Sequence, residues 1–257
     1  MGGVPGGDGD GGVLITLLSD PASFDEPEIR VEGDAYRHLF RARRVGVGEA
    51  MRVVDGRGRA RWGEVSRVDR SSALVRLGEA APGNEPAYRL ELLVPTFRPE
   101  RASWLVEKAT EVGVSAVRFL HTARAPREFG EGTLDRLRRV AAAALEQCHR
   151  ALLPEISGPH AWREAVPLAS GEGRWVLDTV LDTESAQAGW GEVAGMSGTL
   201  LVGPEGGWSP EERREVREAG FRVVGLGERV LRVETAALVG AAALLLPLAP
   251  GVSGSRN

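Results

Sequence analysis

Hydrophobic positions follow two different patterns along the chain, one before about residue 80 and one after it. In the first part, short segments alternate between apolar and polar residues, with turn residues between them. Residues 51–54 precede Asp55-Gly56, a pair typical of hairpin turns, and residues 61–65 and 73–77 alternate in the same way. Residues 36–44 can form a short helical turn. This pattern predicts a small β-barrel.

The second part alternates between continuous apolar segments and amphipathic helices. Such segments are typical of strands that are buried on both faces, and helices between them provide the crossovers of a parallel sheet. We therefore predict an α/β domain with a mainly parallel sheet and helices on both faces. The predicted strands cover residues 90–94, 116–120, 175–177, 199–202 and 221–224.

Helix-boundary signals support these helices. Proline is favoured at the first helical position, glycine after the last, and serine with glutamate three residues later forms a capping box. The signals are Pro99 and Gly113 for residues 99–112, Thr133 as the cap of residues 133–152, and Ser209 with Glu212 for residues 209–220. A last helix is predicted from residue 233 to residue 246.

The segments between these elements suggest the domain organisation. Residues 1–12 are mostly glycine and are expected to be a disordered leader. The barrel then occupies residues 13–80, a linker residues 81–87, the α/β domain residues 88–249, and a tail residues 250–257.

Composition excludes several classes of protein. Of the 257 residues, 42% are hydrophobic and 26% are charged, with a net charge of −4, so the chain can bury a core and is not a disordered charged tail. It has one cysteine and four histidines, which argues against a disulfide framework and against a metal site. No apolar run reaches the roughly 18 residues needed to span a membrane. With no secretory signal in view, we expect a soluble cytoplasmic protein that does not bind membranes.

Positive charge is concentrated in the first part of the chain. Residues 30–76 contain 12 arginines and 6 acidic residues. A local basic patch can bind nucleic acid even in an acidic protein, because counterion release depends on the patch. An ordinary solvated β surface is the alternative interpretation.

Two motifs at strand ends are candidates for chemistry. Residues 203–207, Gly-Pro-Glu-Gly-Gly, follow a buried strand, and ligands in open α/β sheets bind at the carboxyl ends of strands. The motif matches neither the phosphate loop nor the dinucleotide fingerprint, and a structural turn would also explain it. In residues 226–236, Arg232 and Glu234 lie near a helix start, where an ion pair is the simpler interpretation. A third segment, residues 146–150, contains Cys148, which we interpret as core packing.

Taken together and in this order, the motifs resemble the RsmE family of ribosomal RNA uridine-N3 methyltransferases, in the SPOUT superfamily of knotted methyltransferases. The resemblance covers about residues 30–246. Its most specific parts are residues 203–207 and 226–238. Supporting parts are residues 107–114, 146–156, and the barrel segments 38–39, 43–44, 47–48 and 54–58.

The resemblance implies a SPOUT-type fold with a trefoil knot, preceded by a PUA-like RNA-binding barrel. It implies a homodimer that acts on ribosomal RNA or on the assembled small ribosomal subunit, without a metal. The implied cofactor is S-adenosylmethionine, bound by Val202, Gly203, Gly207, Leu226, Gly227, Val230 and Leu231. The implied RNA-binding residues are His38, Arg43, Arg44 and Arg150.

Catalytic roles follow from the chemistry of uridine N3, which carries a proton and is a poor nucleophile until that proton leaves. Arg232 and Arg124 are candidates to stabilise the anion that develops on uracil. Glu234 or Glu205 could accept the proton, although Glu234 could instead orient Arg232.

The sequence departs from the family pattern at three places. Ala123 stands where an acidic residue is usual, His149 replaces a glycine, and the first predicted strand lacks its usual arginine. These departures concern RNA contacts more than cofactor binding. Methylation of another RNA position, such as a ribose 2′-hydroxyl, and a non-catalytic module of ribosome assembly are the alternative functions.

Overall fold

The computed structural model describes residues 14–125, 129–166, 169, 171–179 and 196–246. The predicted leader, residues 1–12, and the predicted tail, residues 250–257, lie outside the described residues. The chain divides between Gly83 and Asn84 into two units. Each unit has its own hydrophobic core.

The first unit is a curled five-stranded sheet. Its strands are β1 (Thr16–Leu18), β2 (Glu28–Val31), β3 (Ala50–Val54), β4 (Ala60–Val68) and β5 (Ala73–Ala80). They are ordered β1-β3-β4-β5-β2, with β1 parallel to β3 and the other pairs antiparallel. A helical segment, α1 (Gly33–Tyr36), continues as a π-helix over Arg37–Ala42.

Local side chains explain the predicted hairpin, which is confirmed between β3 and β4. The buried carboxylate of Asp55 accepts hydrogen bonds from the backbone N–H groups of Arg57 and Arg59, at 2.8 and 3.0 Å. The Arg59 guanidinium adds a third bond at 2.7 Å. These bonds close the turn, so that Met51 and Val65 can face the core.

The second unit is a six-stranded sheet in which every paired strand is parallel to its neighbour. Its order is β11-β9-β10-β6-β7-β8. The strands are β6 (Arg89–Pro95), β7 (Ala116–His121), β8 (Glu155–Ala161), β9 (Gly173–Leu177), β10 (Ser197–Val202) and β11 (Arg222–Val224). The helices are α2 (Pro99–Val112), α3 (Thr133–Cys148), α4 (Trp162–Ala165), α5 (Pro210–Glu218) and α6 (Val233–Leu245).

Both faces of this sheet are covered, as predicted. Adjacent residues of one strand point to opposite faces, and Leu92 and Leu93 belong to different clusters. Leu92 packs in a cluster that contains residues of α2, α3 and α6. Leu93 packs in a second cluster with Val216 of α5 and with Trp208. The prediction of a mainly parallel sheet between two helical layers is confirmed.

Most helix boundaries agree with the sequence signals, and α3 is the exception. Gly113 ends α2 in the left-handed conformation, at φ 108°, and the capping box of α5 is complete. For α3 the capping residue is Gly132 rather than Thr133, and the helix ends at Cys148 instead of residue 152. It ends there because His149 adopts φ 60°, which cannot continue a right-handed helix. Strand β8 had no counterpart in the predicted elements.

Candidate functional site

A cavity of about 600 Å³ lies at the carboxyl ends of neighbouring strands β11, β9 and β10. The loops that follow these strands form its walls, since the carboxyl ends of parallel strands meet at one edge of a sheet. All seven residues predicted to bind a cofactor line this cavity, namely Val202, Gly203, Gly207, Leu226, Gly227, Val230 and Leu231. The tertiary structure therefore brings the two sequence motifs, residues 203–207 and 226–236, to one place.

The glycines of the loop after β10, residues 203–207, allow close packing of the loop as well as close approach of a ligand to its backbone. A Cβ on Gly203 would lie 2.9 Å from two atoms of the Trp208 indole ring. Trp208 is itself buried, and its Nε1–H donates to the carbonyl oxygen of Leu177 at 3.0 Å. Gly207 has φ 69° and donates its N–H to the Pro204 oxygen at 2.8 Å, which closes the turn. The loop thus has a defined shape before any ligand binds.

Arg124 and Arg232 both line the cavity, and both are exposed. Arg124 follows β7, and its Nη1–H donates to the Gly206 carbonyl oxygen at 2.9 Å. Arg232 is the capping residue of α6. The two predicted catalytic arginines therefore line the same cavity, and each guanidinium carries N–H donors that a ligand can use.

Glu234 occupies a different environment from the one expected of a proton acceptor. It is buried, and it is not among the described residues that line the cavity. Its two oxygens accept hydrogen bonds from Nε and Nη2 of Arg101, the first at 2.8 Å. These hydrogen bonds join Glu234 to Arg101 instead of to Arg232, which acts on Glu234 as a nearby positive charge, so an orienting role of Glu234 toward Arg232 stays a prediction.

The electrostatics agree with this placement of Glu234. Burial raises the pKa of this carboxyl group and is the largest single influence on it. The hydrogen bonds from Arg101 and from the backbone, together with the charges of Arg101 and Arg232, outweigh burial. The pKa of Glu234 lies below its ordinary value as a result. A carboxylate that is already paired and has a lowered pKa is a weak base, so the structure argues against proton transfer to Glu234.

Glu205, the alternative proton acceptor, does line the cavity. It lies within the Gly-Pro-Glu-Gly-Gly turn, and its side chain is 63% exposed. Its Oε1 accepts a hydrogen bond from Nη1 of Arg101 at 2.8 Å. Arg101 thus contacts both glutamates that the sequence analysis considered.

The sequence analysis missed Arg101 and a second ion pair at the cavity. Arg213 of α5 donates to both oxygens of Asp178, at 2.6 and 3.2 Å, and both residues line the cavity. Arg229 also lines it and is exposed. The capping box had located α5, but no local signal distinguished Arg213 from the other arginines of that helix.

Glu212 connects the capping box to the loop that carries Arg124. Its Oε2 accepts from the Ser209 N–H at 2.8 Å, and its Oε1 accepts from the Ala123 N–H at 2.9 Å. The Ala123 side chain has no part in this bond. Glu212 therefore holds the backbone next to Arg124 whatever the side chain at position 123.

In the first unit, the predicted RNA-binding residues His38, Arg43 and Arg44 are all exposed. His38 belongs to the π-helical segment, and the two arginines follow it directly. Arg44 has φ 59°, so the chain turns sharply there. The three side chains are accessible on one short stretch of surface.

Arg150 requires a correction, because it is buried with 3% of its side chain exposed. Its Nε and Nη2 donate to Oε2 of Glu85, at 3.0 and 2.7 Å. Its Nη1 donates to the carbonyl oxygens of Thr110 and Val114. Four of its five N–H donors are used inside the protein, which leaves Arg150 a structural residue instead of an RNA contact.

Among the described residues, no group of three or more His, Cys, Asp or Glu side chains could hold a metal ion. Within the same residues, no helix has the length and hydrophobicity that a membrane span requires.

Comparison with family models gives two matches. An RNA methyltransferase domain matches residues 84–245, and an RNA methyltransferase PUA domain matches residues 31–78. Ribosomal RNA small subunit methyltransferase E of Mycobacterium bovis is 31% identical over 225 residues, which cover 81% of this chain and 82% of the relative. The Synechocystis protein of the same name is 25% identical over 87% of this chain and 74% of the relative.

Solved structures agree with these matches. A probable rRNA-methyltransferase from Porphyromonas gingivalis has a TM-score of 0.76 and 28% identity, covering 90% of this chain and 98% of that one. Ribosomal RNA small subunit methyltransferase E from Neisseria gonorrhoeae, bound to S-adenosyl methionine, has a TM-score of 0.76 and 25% identity. The match covers 90% of this chain and 97% of that one.

The fold, the cavity and these matches define an RNA methyltransferase with an attached PUA domain. Within that class, the chain belongs to the family of ribosomal RNA small subunit methyltransferase E.

Proposed function

We propose that this protein transfers the methyl group of S-adenosylmethionine to N3 of a uridine in small-subunit ribosomal RNA. The observation that carries the proposal is the arginine-lined cavity at the strand ends, in a chain of this family. Its relative from Neisseria gonorrhoeae binds S-adenosyl methionine.

The cavity suits the proposed cofactor. Its volume of about 600 Å³ lies in the range of small-molecule sites. The seven lining residues predicted for cofactor binding are glycines and aliphatic residues, so adenine would contact apolar side chains and the backbone N–H and C=O groups between them. S-adenosylmethionine would supply a methyl group that its sulfonium already activates, and no metal is needed for that chemistry.

The charges of the cavity favour an anionic substrate. Its described lining residues include four arginines, at positions 124, 213, 229 and 232, and two carboxylates, Asp178 and Glu205. Both carboxylates are paired with arginines. The remaining positive charge would attract the RNA backbone. It would also stabilise the negative charge that develops on the uracil oxygens as N3 loses its proton.

We assign the step at uracil to Arg232 and Arg124. Arg124 uses one N–H for the Gly206 oxygen, and its other N–H groups can reach a base in the cavity. Most of the rate acceleration would come from holding N3 in line with the methyl group. Glu234 is held by Arg101, and Asp178 is held by both of its oxygens to Arg213, so we assign the proton to Glu205, the more exposed of the two carboxylates that line the cavity.

The first unit would bind the RNA that surrounds the target base. The support is the exposed cluster of His38, Arg43 and Arg44, together with the match to a PUA domain. We assign residues 13–80 to this RNA-binding domain and residues 88–249 to the methyltransferase domain. With ribosomal RNA as the proposed substrate, we expect the protein to act in the cytoplasm.

We further propose a homodimer with a trefoil knot in the methyltransferase domain. The support for a dimer is that Trp104 of α2 and Val239 of α6 are each 44% exposed, on two helices that pack against each other. Large exposed apolar residues on adjoining helices are typical of protein interfaces. Sedimentation of the purified chain tests this, and a monomer at micromolar concentration would contradict it.

The decisive experiment is transfer of labelled methyl from S-adenosylmethionine to small ribosomal subunits that lack their native base methylations, followed by nucleoside analysis. We expect label in 3-methyluridine. Label in a ribose-methylated nucleoside would move the target to a 2′-hydroxyl. Cofactor binding without label on naked RNA or on subunits would indicate a non-catalytic module of ribosome assembly.

The RNA-binding role has its own test. Replacing Arg43 and Arg44 by Glu should weaken RNA binding and lower the slope of log K against log salt by about 1.5, because about two phosphate contacts are lost. The matched control replaces Arg136 and Arg139, two exposed arginines of α3. Equal slopes for both variants would assign the first pair to ordinary surface.

A further inference from the structure

We propose that Arg101 is a positioning residue of the cavity, a side chain that fixes the loop after β10 relative to the loop that carries Arg232. This inference rests on the proposed function and deepens it. Arg101 belongs to the first turn of α2 and is not among the described residues that line the cavity. It would therefore act on the cofactor and the substrate base through the loops that it holds.

The geometry is that of one guanidinium between two carboxylates. Nε and Nη2 donate to the two oxygens of Glu234, and Nη1 donates to Glu205. Glu205 lies in the turn after β10, and Glu234 lies two residues after Arg232. Arg101 therefore holds both Glu205 and Glu234 in position relative to α2.

Arginine is suited to this arrangement and lysine is not. The planar guanidinium carries N–H groups on several sides, so it can bind one carboxylate with two parallel bonds and another with a third. A lysine ammonium at this position could pair with one carboxylate but could not fix its orientation. The guanidinium carbon of Arg101 also lies 5.7 Å from the centre of the Phe97 ring, which restricts the side chain further.

The two contacts differ in strength because they differ in burial. The Glu234 side chain is 8% exposed, so loss of Arg101 would leave a buried carboxylate without its partner. The Glu205 side chain is 63% exposed, and water competes for that bond. We infer that the Glu234 contact fixes the Arg101 side chain. The Glu205 contact then holds the turn of residues 203–207 to Arg101.

A preformed cavity binds its ligand with a smaller loss of conformational entropy, and it presents Arg232 to the substrate in one orientation. Arg101→Gln should therefore weaken S-adenosylmethionine binding about 10-fold. It should lower kcat by about 100-fold, since misplacement of reacting groups by about 1 Å has effects of that size.

The experiment uses the full chain and compares Arg101→Gln with Arg101→Lys and Arg98→Gln. Arg98 is an exposed arginine at the start of the same helix, so it controls for the change of charge. Cofactor affinity is measured by calorimetry, kcat by methyl transfer to ribosomal subunits, and folding by thermal unfolding. We expect the lysine variant to recover part of the affinity and little of kcat, and Arg98→Gln to match the wild type.

A second pair of variants separates positioning from simple structural support. Glu205→Gln removes the exposed ion pair with Arg101 and also the carboxylate proposed to accept the proton, so cofactor affinity, and not kcat, reports on positioning in this variant. It should leave the unfolding temperature unchanged and weaken cofactor binding about 3-fold. Adding Glu234→Gln to Arg101→Gln should cost no further affinity, because the unpaired carboxylate is then removed.

Two results would overturn the inference. One is wild-type affinity and kcat in Arg101→Gln, with or without a lower unfolding temperature. The other is wild-type cofactor affinity and kcat in both Glu205→Gln and Arg101→Lys. This second result can be obtained even if Arg101→Gln does not fold. A wild-type chain that binds no S-adenosylmethionine would instead overturn the proposed function, and this inference with it.

Discussion

Two regions of the methyltransferase unit contain arginines within family-like motifs, and the structure places these arginines in opposite environments. At the cavity, Arg124 and Arg232 are exposed and face the space between the loops. At the corner between α3 and β8, Arg150 is buried against Glu85. The sequence analysis placed all three in contact with RNA or its target base. The comparison teaches that burial and partners, rather than membership of a motif, separate a binding side chain from a structural one.

The corner is also organised by Glu85. Its Oε2 accepts from Arg150, and its Oε1 accepts from the backbone N–H groups of Ala151 and Leu152, at 2.8 and 2.9 Å. One carboxylate therefore ties the start of the unit to the segment that leads into β8. Beside it, burial raises the pKa of the Cys148 thiol, so the thiol stays protonated, which agrees with its interpretation as a packing residue.

The largest expected effect concerns Arg150. Arg150→Leu leaves Glu85 partly buried without its charge partner. It also removes the Nη1 donor from the carbonyl oxygens of Thr110 and Val114, of which Thr110 still accepts from the Gly113 N–H. The free energy of unfolding should fall by about 3 kcal/mol. Chemical denaturation measures this, and RNA affinity of the folded protein should not change. A stable variant with weakened RNA binding would reverse the assignment and remove the contrast between the two regions.

Arg232→Gln tests the role of an exposed arginine at the cavity. We expect kcat to fall by about 100-fold, since the developing charge on uracil loses a cation. Cofactor affinity and the free energy of unfolding should stay near wild type, because the side chain is exposed. Single-turnover kinetics with saturating cofactor checks this. Unchanged turnover would exclude Arg232 from the chemical step.

The ion pair of Glu234 with Arg101 should respond to pH. The pKa of Glu234 is lowered in the folded protein, so its contribution to stability is complete above its ordinary value near 4.5 and is lost as pH falls through the lower folded value. Glu234→Gln should therefore destabilise the protein by about 1.5 kcal/mol at pH 7. The difference should shrink as the pH falls below about 4.5. Denaturation at several pH values tests this, and a constant difference would contradict it.

The smallest effect is expected at His149, next to Arg150. His149 has φ 60°, a left-handed conformation that favours glycine. His149→Gly should raise the free energy of unfolding by up to about 1 kcal/mol, with no change in RNA affinity. A loss of RNA affinity would show that the corner takes part in binding after all. Thermal unfolding with an RNA titration distinguishes the two.

What the sequence alone determined is local or periodic. The capping box of Ser209 and Glu212, the end of α2 at Gly113 and the hairpin at Asp55 all depend on neighbours within four residues, so composition and spacing were sufficient. The alternation of apolar strands and helices was sufficient for a parallel sheet between two layers. It also placed the two loop motifs at strand ends, and hence at one edge of the sheet.

Tertiary structure decided which charged residues meet. Arg101 and Glu234 are separated by 133 positions, and Arg150 and Glu85 by 65, so no local pattern could pair them. Strand β8 was missed for a related reason. Its Gly158 lies so close to the backbone of Phe119 that a Cβ would be 2.4 Å from the Phe119 oxygen, an approach that only the assembled sheet reveals. A guanidinium has the same chemistry wherever it lies. Whether it binds a ligand or supports the fold depends on which distant elements the topology brings to it.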